Sequence, residues 1–132
     1  MKESERWSVS SGAIWETQYG YTRAVRVGRY VHVSGTTATE SHGNVLGKGD
    51  AYEQARHIFA IIADALQKLG SSLTDVVRTR MYVVDILVNG DKVGKAHGEV
   101  FQDIRPAATM VEVSGLIAPE FLVEIEVDAI LP

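Results

Sequence analysis

Arg105-Pro106-Ala107-Ala108-Thr109-Met110-Val111-Glu112-Val113, followed after a turn by Val123-Glu124-Ile125-Glu126-Val127, reads as two strands joined by a Gly/Pro-containing loop. Side chains alternate faces along a strand. Glu124, Glu126 and Asp128 therefore share one face of the last strand, and Ile125, Val127 and Ala129 share the other. Three carboxylates do not suit a hydrophobic core. Their face is expected to meet water, a partner chain or a ligand.

Upstream of this pair, Val76 to Val84 alternates as a strand, with Val77, Thr79, Met81 and Val83 on an apolar face and Arg78, Arg80 and Tyr82 on the other. A helix is predicted from about Asp91 to Asp103, carrying Val93, Ala96, Val100 and Ile104, and ended by Pro106. A longer helix opens at Asp50, where Asp50 and Glu53 take the N-cap and N3 places of a capping box. Ala55, Ile58, Ile62, Ala65, Leu66 and Leu69 form its apolar stripe, and Gly70 closes it. Tyr21–Val27 and Tyr30–Ser34 read as a hairpin turning at Gly28-Arg29. Residues 35 to 49 hold Gly35, Gly43, Asn44, Gly47 and Gly49 and read as a loop, broken by a short strand near Val45. Residues 1 to about 12 are polar and expected to be ragged.

The order is β-β-α-β-α-β-β, an α+β fold within a single domain spanning 1–132. Two helices cover only one face of such a sheet. The other face, with Arg78, Arg80, Tyr82 and Glu124, is too mixed for a core, so oligomerisation through it is expected.

A net charge of −4 argues against broad nucleic-acid binding, which uses clustered Lys and Arg to neutralise phosphates. The absence of cysteine excludes disulfides, thiolate metal sites and cysteine nucleophiles. The charged start has no apolar run behind it, and no stretch reaches the roughly 18 apolar residues of a membrane span. A cytoplasmic protein without a membrane partner is the expectation. His32, His42, His57 and His97 have neither the HxH nor the i,i+4 spacing of a metal site, so no metal is expected. His57 and His97 are placed on polar helix faces, which predicts exposure. His32 points opposite Val31 and Val33.

Several segments resemble the Rid family of reactive-intermediate deaminases, also called YjgF-like and long labelled endoribonuclease L-PSP. Tyr21-Thr22-Arg23-Ala24 is similar to that family's Tyr-Ser-Gln-Ala, and Val31-His32-Val33-Ser34-Gly35 to its Val-Phe-Val-Ser-Gly. Leu69-Gly70, Leu73, Asp75-Val76-Val77 and Tyr82-Val83-Val84-Asp85 match its central pieces, and His97-Gly98-Glu99-Val100-Phe101 its phenylalanine-ending helix. Pro106-Ala107-Ala108-Thr109 and Val123-Glu124-Ile125-Glu126-Val127 resemble its closing Pro-Ala-Arg-Ser/Thr and Val/Ile-Glu-Ile-Glu-Ala, with Ala108 where the family has arginine.

The resemblance implies a chorismate-mutase-like fold and a homotrimer whose sheets form a central barrel, with small-molecule pockets between subunits and no cofactor. In deaminating members that arginine grips the carboxylate of a 2-imino or 2-enamino acid, for which a planar guanidinium is suited. Glu124 matches the glutamate that positions the hydrolytic water, while Tyr21, Ser34 and Gly35 match pocket-lining residues. Ala108 stands at the carboxylate-binding place without the grip. Arg80, on the Tyr82 side of its strand, and Arg105, at a helix end, are the candidates to replace it. Three readings stay open: a hydrolase or deaminase of an imine, enamine or related C–N compound, a non-catalytic metabolite-binding protein, and an endoribonuclease.

Overall fold

A computed structural model describes residues 5–40 and 42–132. Along the chain run β1 (Arg6–Val9), α1 (Ile14–Tyr19), β2 (Ala24–Val27), β3 (Tyr30–Thr36), α2 (Ala51–Lys68), β4 (Val76–Val84), α3 (Ile86–Phe101), β5 (Ala107–Val113) and β6 (Val123–Ile130). The strands form one six-stranded sheet in the order β1-β2-β3-β6-β4-β5. All neighbours are antiparallel except β4 and β5, which run parallel and flank α3 in a βαβ unit.

Both long helices pack on one face. Alternation along β6 buries Val123, Ile125, Val127 and Ala129 and leaves Glu124, Glu126 and Asp128 half-buried on the other face. Above the apolar face sits the stripe of α2, with Ala55, Ile58, Ile62 and Leu66 fully buried, and α3 adds Val93, Ala96 and Phe101. The α+β class, the two helices on one face and the carboxylate face are as the sequence predicts. The α2 start is also as read: the Asp50 side chain accepts from the Glu53 N–H at 3.1 Å, and Gly70 at φ +80° follows the end. Gly28, at φ +60°, holds the first central place of the two-residue turn between β2 and β3.

Four expectations are corrected. Within the segment expected to be ragged, Arg6–Val9 pairs with Val27–Ala24 as β1, and α1 follows, so the described residues add a β-α unit before the first expected strand. Val77 is exposed, because the β4–β6 register shifts between Val76 and Arg78 and Val76 takes the buried place. The second helix begins at Ile86 rather than Asp91. Its first N–H donates to Glu112 Oε1 at 3.1 Å, and Asn89 Nδ2 donates to the Val84 carbonyl at 2.7 Å. Finally, His97 is half-buried, in contact with Thr79 Oγ1 at 2.9 Å and packed on Phe59 and Phe101.

Candidate functional site

On the open face, β4 and β6 are zipped by a diagonal ladder. Arg80 lies opposite Glu126 and Tyr82 opposite Glu124. Each side chain nevertheless reaches the next carboxylate along: Arg80 Nη1 donates to Asp128 Oδ2 at 2.9 Å, and the Tyr82 hydroxyl donates to Glu126. Asp128 is met from β3 as well, by His32 Nδ1 at 2.7 Å. Burial works against ionisation of Asp128, but these two hydrogen bonds and charges outweigh it and hold its carboxyl below the usual range. By the same diagonal step Glu124 would fall to Val84, which has no side-chain donor. Glu124 is the ladder's leftover carboxylate.

Glu124 turns instead toward β3. There the β3–β6 register shifts between Val33 and Thr36, so Ser34 and Gly35 of β3 face one residue of β6. Such a bulge re-aims side chains locally. A Cβ added to Gly35 would lie 2.1 Å from Glu124 Oε2. A side chain at Gly35, which lies within a strand rather than at a strand exit, would have to displace the end of the Glu124 side chain.

Behind the bulge, Arg23 Nη2 donates to the Gly35 carbonyl at 2.5 Å. The Ser34 hydroxyl donates to the Thr22 carbonyl at 2.6 Å, and the Ser34 N–H donates to the Arg23 carbonyl. Tyr21 is exposed beside this group. Burial raises the Glu124 pKa; the charge of Arg23 opposes the shift and that of Glu126 adds to it. Burial likewise lowers the Arg23 pKa, against the pull of Tyr21, Glu16 and Glu124. Glu16 is buried on α1. Burial disfavours its charge, yet hydrogen bonds from the Ser11 N–H and hydroxyl hold its pKa below the ordinary value.

Ser34, Gly35 and Glu124 therefore come together from β3 and β6, with Arg23 and Tyr21 of the segment before β2 beside them. Arg80 lies in the Asp128–His32 cluster instead. Its acceptor is Asp128. Ala108 is exposed on β5, opposite Thr79, across β4 from β6. Arg105 bonds the Gln102 carbonyl at 3.0 Å and finishes the α3 end. The residue that sequence reasoning missed is Arg23. Its signal was available: a cation at the start of a strand, where the resembling family has a neutral glutamine.

Two shallow depressions lie elsewhere, one along α3 beside Met110 and one between α2 and α3, and neither includes Glu124, Gly35 or Arg23. Among the described residues, no three His, Asp or Glu side chains gather to hold a metal ion. Among the described residues, no helix is long and apolar enough to cross a membrane.

The sequence profile of the family described as endoribonuclease L-PSP matches residues 13–131. An uncharacterised protein of Streptomyces coelicolor is 40% identical over 92% of this chain and 89% of its own length. The 3-aminoacrylate deaminase RutC of Acinetobacter baylyi is 32% identical over 80% of this chain and 82% of its own. Among solved structures, a Mycobacterium tuberculosis member of the YjgF/YER057c/UK114 family superposes with a TM-score of 0.85 at 47% identity, covering 96% of this chain and 100% of that one.

Proposed function

The chain belongs to the endoribonuclease L-PSP family, also known as the YjgF or Rid family, and from that premise we propose that it is a homotrimer hydrolysing an imine, enamine or related C–N compound in pockets between its subunits. The observation that carries the reading is the leftover carboxylate of the ladder. Glu124 is half-buried and its pKa is raised. No β4 side chain bonds it, and it lies against a glycine. A carboxylate with a raised pKa is suited to proton transfer near neutral pH.

The proposed step is simple. Glu124 accepts a proton from water as the water oxygen bonds to the C=N carbon. From a protonated C=N group this gives a neutral carbinolamine; Glu124 returns the proton to its nitrogen, the C–N bond breaks as the hydroxyl proton passes back to Glu124, and ammonia leaves a carbonyl product. An enamine enters the same path after protonation at carbon. Tyr21, Ser34 and Gly35 frame the reacting group, and Ala108 contributes no charge. The mixed open face of the sheet supports assembly of three copies around it. One relative is named a 3-aminoacrylate deaminase, which supports an enamine as the substrate class. Typical 2-imino acid deamination is expected to be poor, because Ala108 cannot supply the bidentate contact.

Ammonia release from a panel of imines and enamines, generated in situ, tests the proposal. Release abolished in Glu124→Gln is the expected result. Ligand binding at the Glu124 pocket without any ammonia release would favour the non-catalytic metabolite-binding reading. Cleavage of RNA surviving Glu124→Gln, with no ammonia release, would sink the C–N reading altogether.

A further inference from the structure

Arg23 is a half-buried cation with no carboxylate at ion-pair distance among the described residues. Among the described residues the ion pairs within 4.0 Å are His32–Asp128, Arg56–Glu53, Lys68–Asp64 and Arg80–Asp128, and Arg23 belongs to none of them. Two carboxylates flank it, Glu16 and Glu124, close enough to act on its charge yet beyond ion-pair distance. A guanidinium has five N–H donors. One of them, on Nη2, is spent on the Gly35 carbonyl. Nε is buried out of reach of any ligand and has no acceptor, while Nη1 is not so enclosed, has no acceptor among the described residues, and is the donor a ligand could meet.

An arginine kept only to tie β2 to β3 would need no charge, since a neutral amide can bond the Gly35 carbonyl equally well. Burying a charge with donors unmet is costly. An anion accepting from Nη1 would offset the charge. The same guanidinium is held through Nη2 at the Gly35 carbonyl, at the bulge where the Glu124 carboxylate lies against Gly35.

We infer that Arg23 is the specificity-determining residue of the Glu124 site, and that the ligand carries a carboxylate or an equivalent planar oxyanion held by its guanidinium from the β2 side. The inference rests on Glu124 marking the ligand site, but not on any turnover there. It places the anion contact on the opposite flank of β6 from Ala108, which lies beyond β4 on the sheet edge. A substrate so held presents its reacting carbon to Glu124 from a different direction, so compounds suited to a β5 grip need not fit.

The test compares 2-oxobutanoate with 2-oxobutanamide, its neutral amide, by titration calorimetry on the intact chain. The wild type is expected to prefer the carboxylate by about 10- to 150-fold, the worth of a hydrogen bond to a charged group. Arg23→Gln keeps a donor for the Gly35 carbonyl, and is expected to lose that preference while its amide affinity holds. Arg23→Lys keeps the charge without the fork and is expected to retain part of the preference, which also covers the case in which the glutamine variant does not fold. A wild type that binds acid and amide alike would overturn the inference. So would an Arg23→Gln protein with the preference intact, or an Arg23→Lys protein with none. The wild type separates the two claims: an Arg23-dependent carboxylate preference in a wild type that releases no ammonia from any imine or enamine sinks the proposed reaction and leaves this inference standing.

Discussion

Glu124 lies so close to Gly35 that its Oε2 occupies the space a β-carbon on residue 35 would need, the two being only 2.1 Å apart. The glycine and the carboxylate are one unit. Bulge and missing side chain together bring the Glu124 carboxylate against bare backbone.

Gly35→Ala should therefore push the Glu124 carboxylate aside while sparing the core. Moving the end of a flexible side chain costs at most the low end of the roughly 1–3 kcal/mol of core overpacking, but a displacement of about 1 Å in a reacting group can cost on the order of 100-fold in rate. Thermal melting and ammonia release, measured together, check the expectation. The double variant Gly35→Ala/Glu124→Ala should recover stability but not activity. If Gly35→Ala alone keeps full activity, the close contact has no bearing on function.

Replacing Glu124 by glutamine should stabilise the protein at neutral pH. Burial raises this carboxyl above its ordinary 4.5, so between 4.5 and the raised value the native state holds more protons than the unfolded one. Stability from this group is then full below pH 4.5 and is lost as pH rises through the native value. At pH 7 the ionised group is a burden that glutamine lacks. Glu124→Gln is expected to melt higher by a few degrees (~2–4 °C) at pH 7, with the gain vanishing below pH 4.5. A variant less stable at pH 7 would show that the charge is satisfied in the assembled protein.

The sequence made the sheet legible where it alternates strictly, and the helices where apolar residues recur at helical spacing. It failed where the deciding partner is distant in the chain. β1 has only four residues and little apolar alternation, and its ladder is supplied by β2. The start of α3 is met by Glu112, 26 residues away, and the local pattern alone places the helix only from about Asp91. The candidate site was half visible. Tyr21, Ser34, Gly35 and Glu124 could be named from motifs; Arg23 showed only as a departure from the family's glutamine, and its meaning comes from two carboxylates that act on its charge without pairing with it. Arg80 drew attention by pointing to the correct face, and its pairing with Asp128 depends on the diagonal ladder, which strand alternation does not reveal.

Arg80→Ala should weaken assembly and leave ligand binding alone. Arg80 and His32 together hold Asp128 ionised. With its pKa held down, Asp128 contributes stability above the ordinary 3.8 that is lost as pH falls through its native value. Removing Arg80 raises that native value, so acid unfolding should begin at higher pH. In solution the wild type is expected to sediment as three 14.4 kDa chains, and the variant to dissociate at higher protein concentration. An intact trimer that has lost carboxylate binding would make Arg80 a ligand residue after all.

His97 should give the protein a second pH dependence, on the helix side of the sheet. Its ring is half-buried against Phe59 and Phe101 and meets Thr79 Oγ1. Burial lowers its pKa from 6.5, because a charged imidazolium would lose water without gaining a carboxylate. Between that lowered value and 6.5 the unfolded chain binds the extra proton, so stability is full above pH 6.5 and declines as pH falls toward the native value. His97→Gln keeps a polar group for Thr79 but cannot titrate, and loses ring packing worth about 0.5–3 kcal/mol. Urea unfolding at pH 7.5 should show the variant weaker, and at pH 5.5 the gap should narrow. Equal gaps at the two pH values would mean that His97 charges as readily in the native protein as in the unfolded chain.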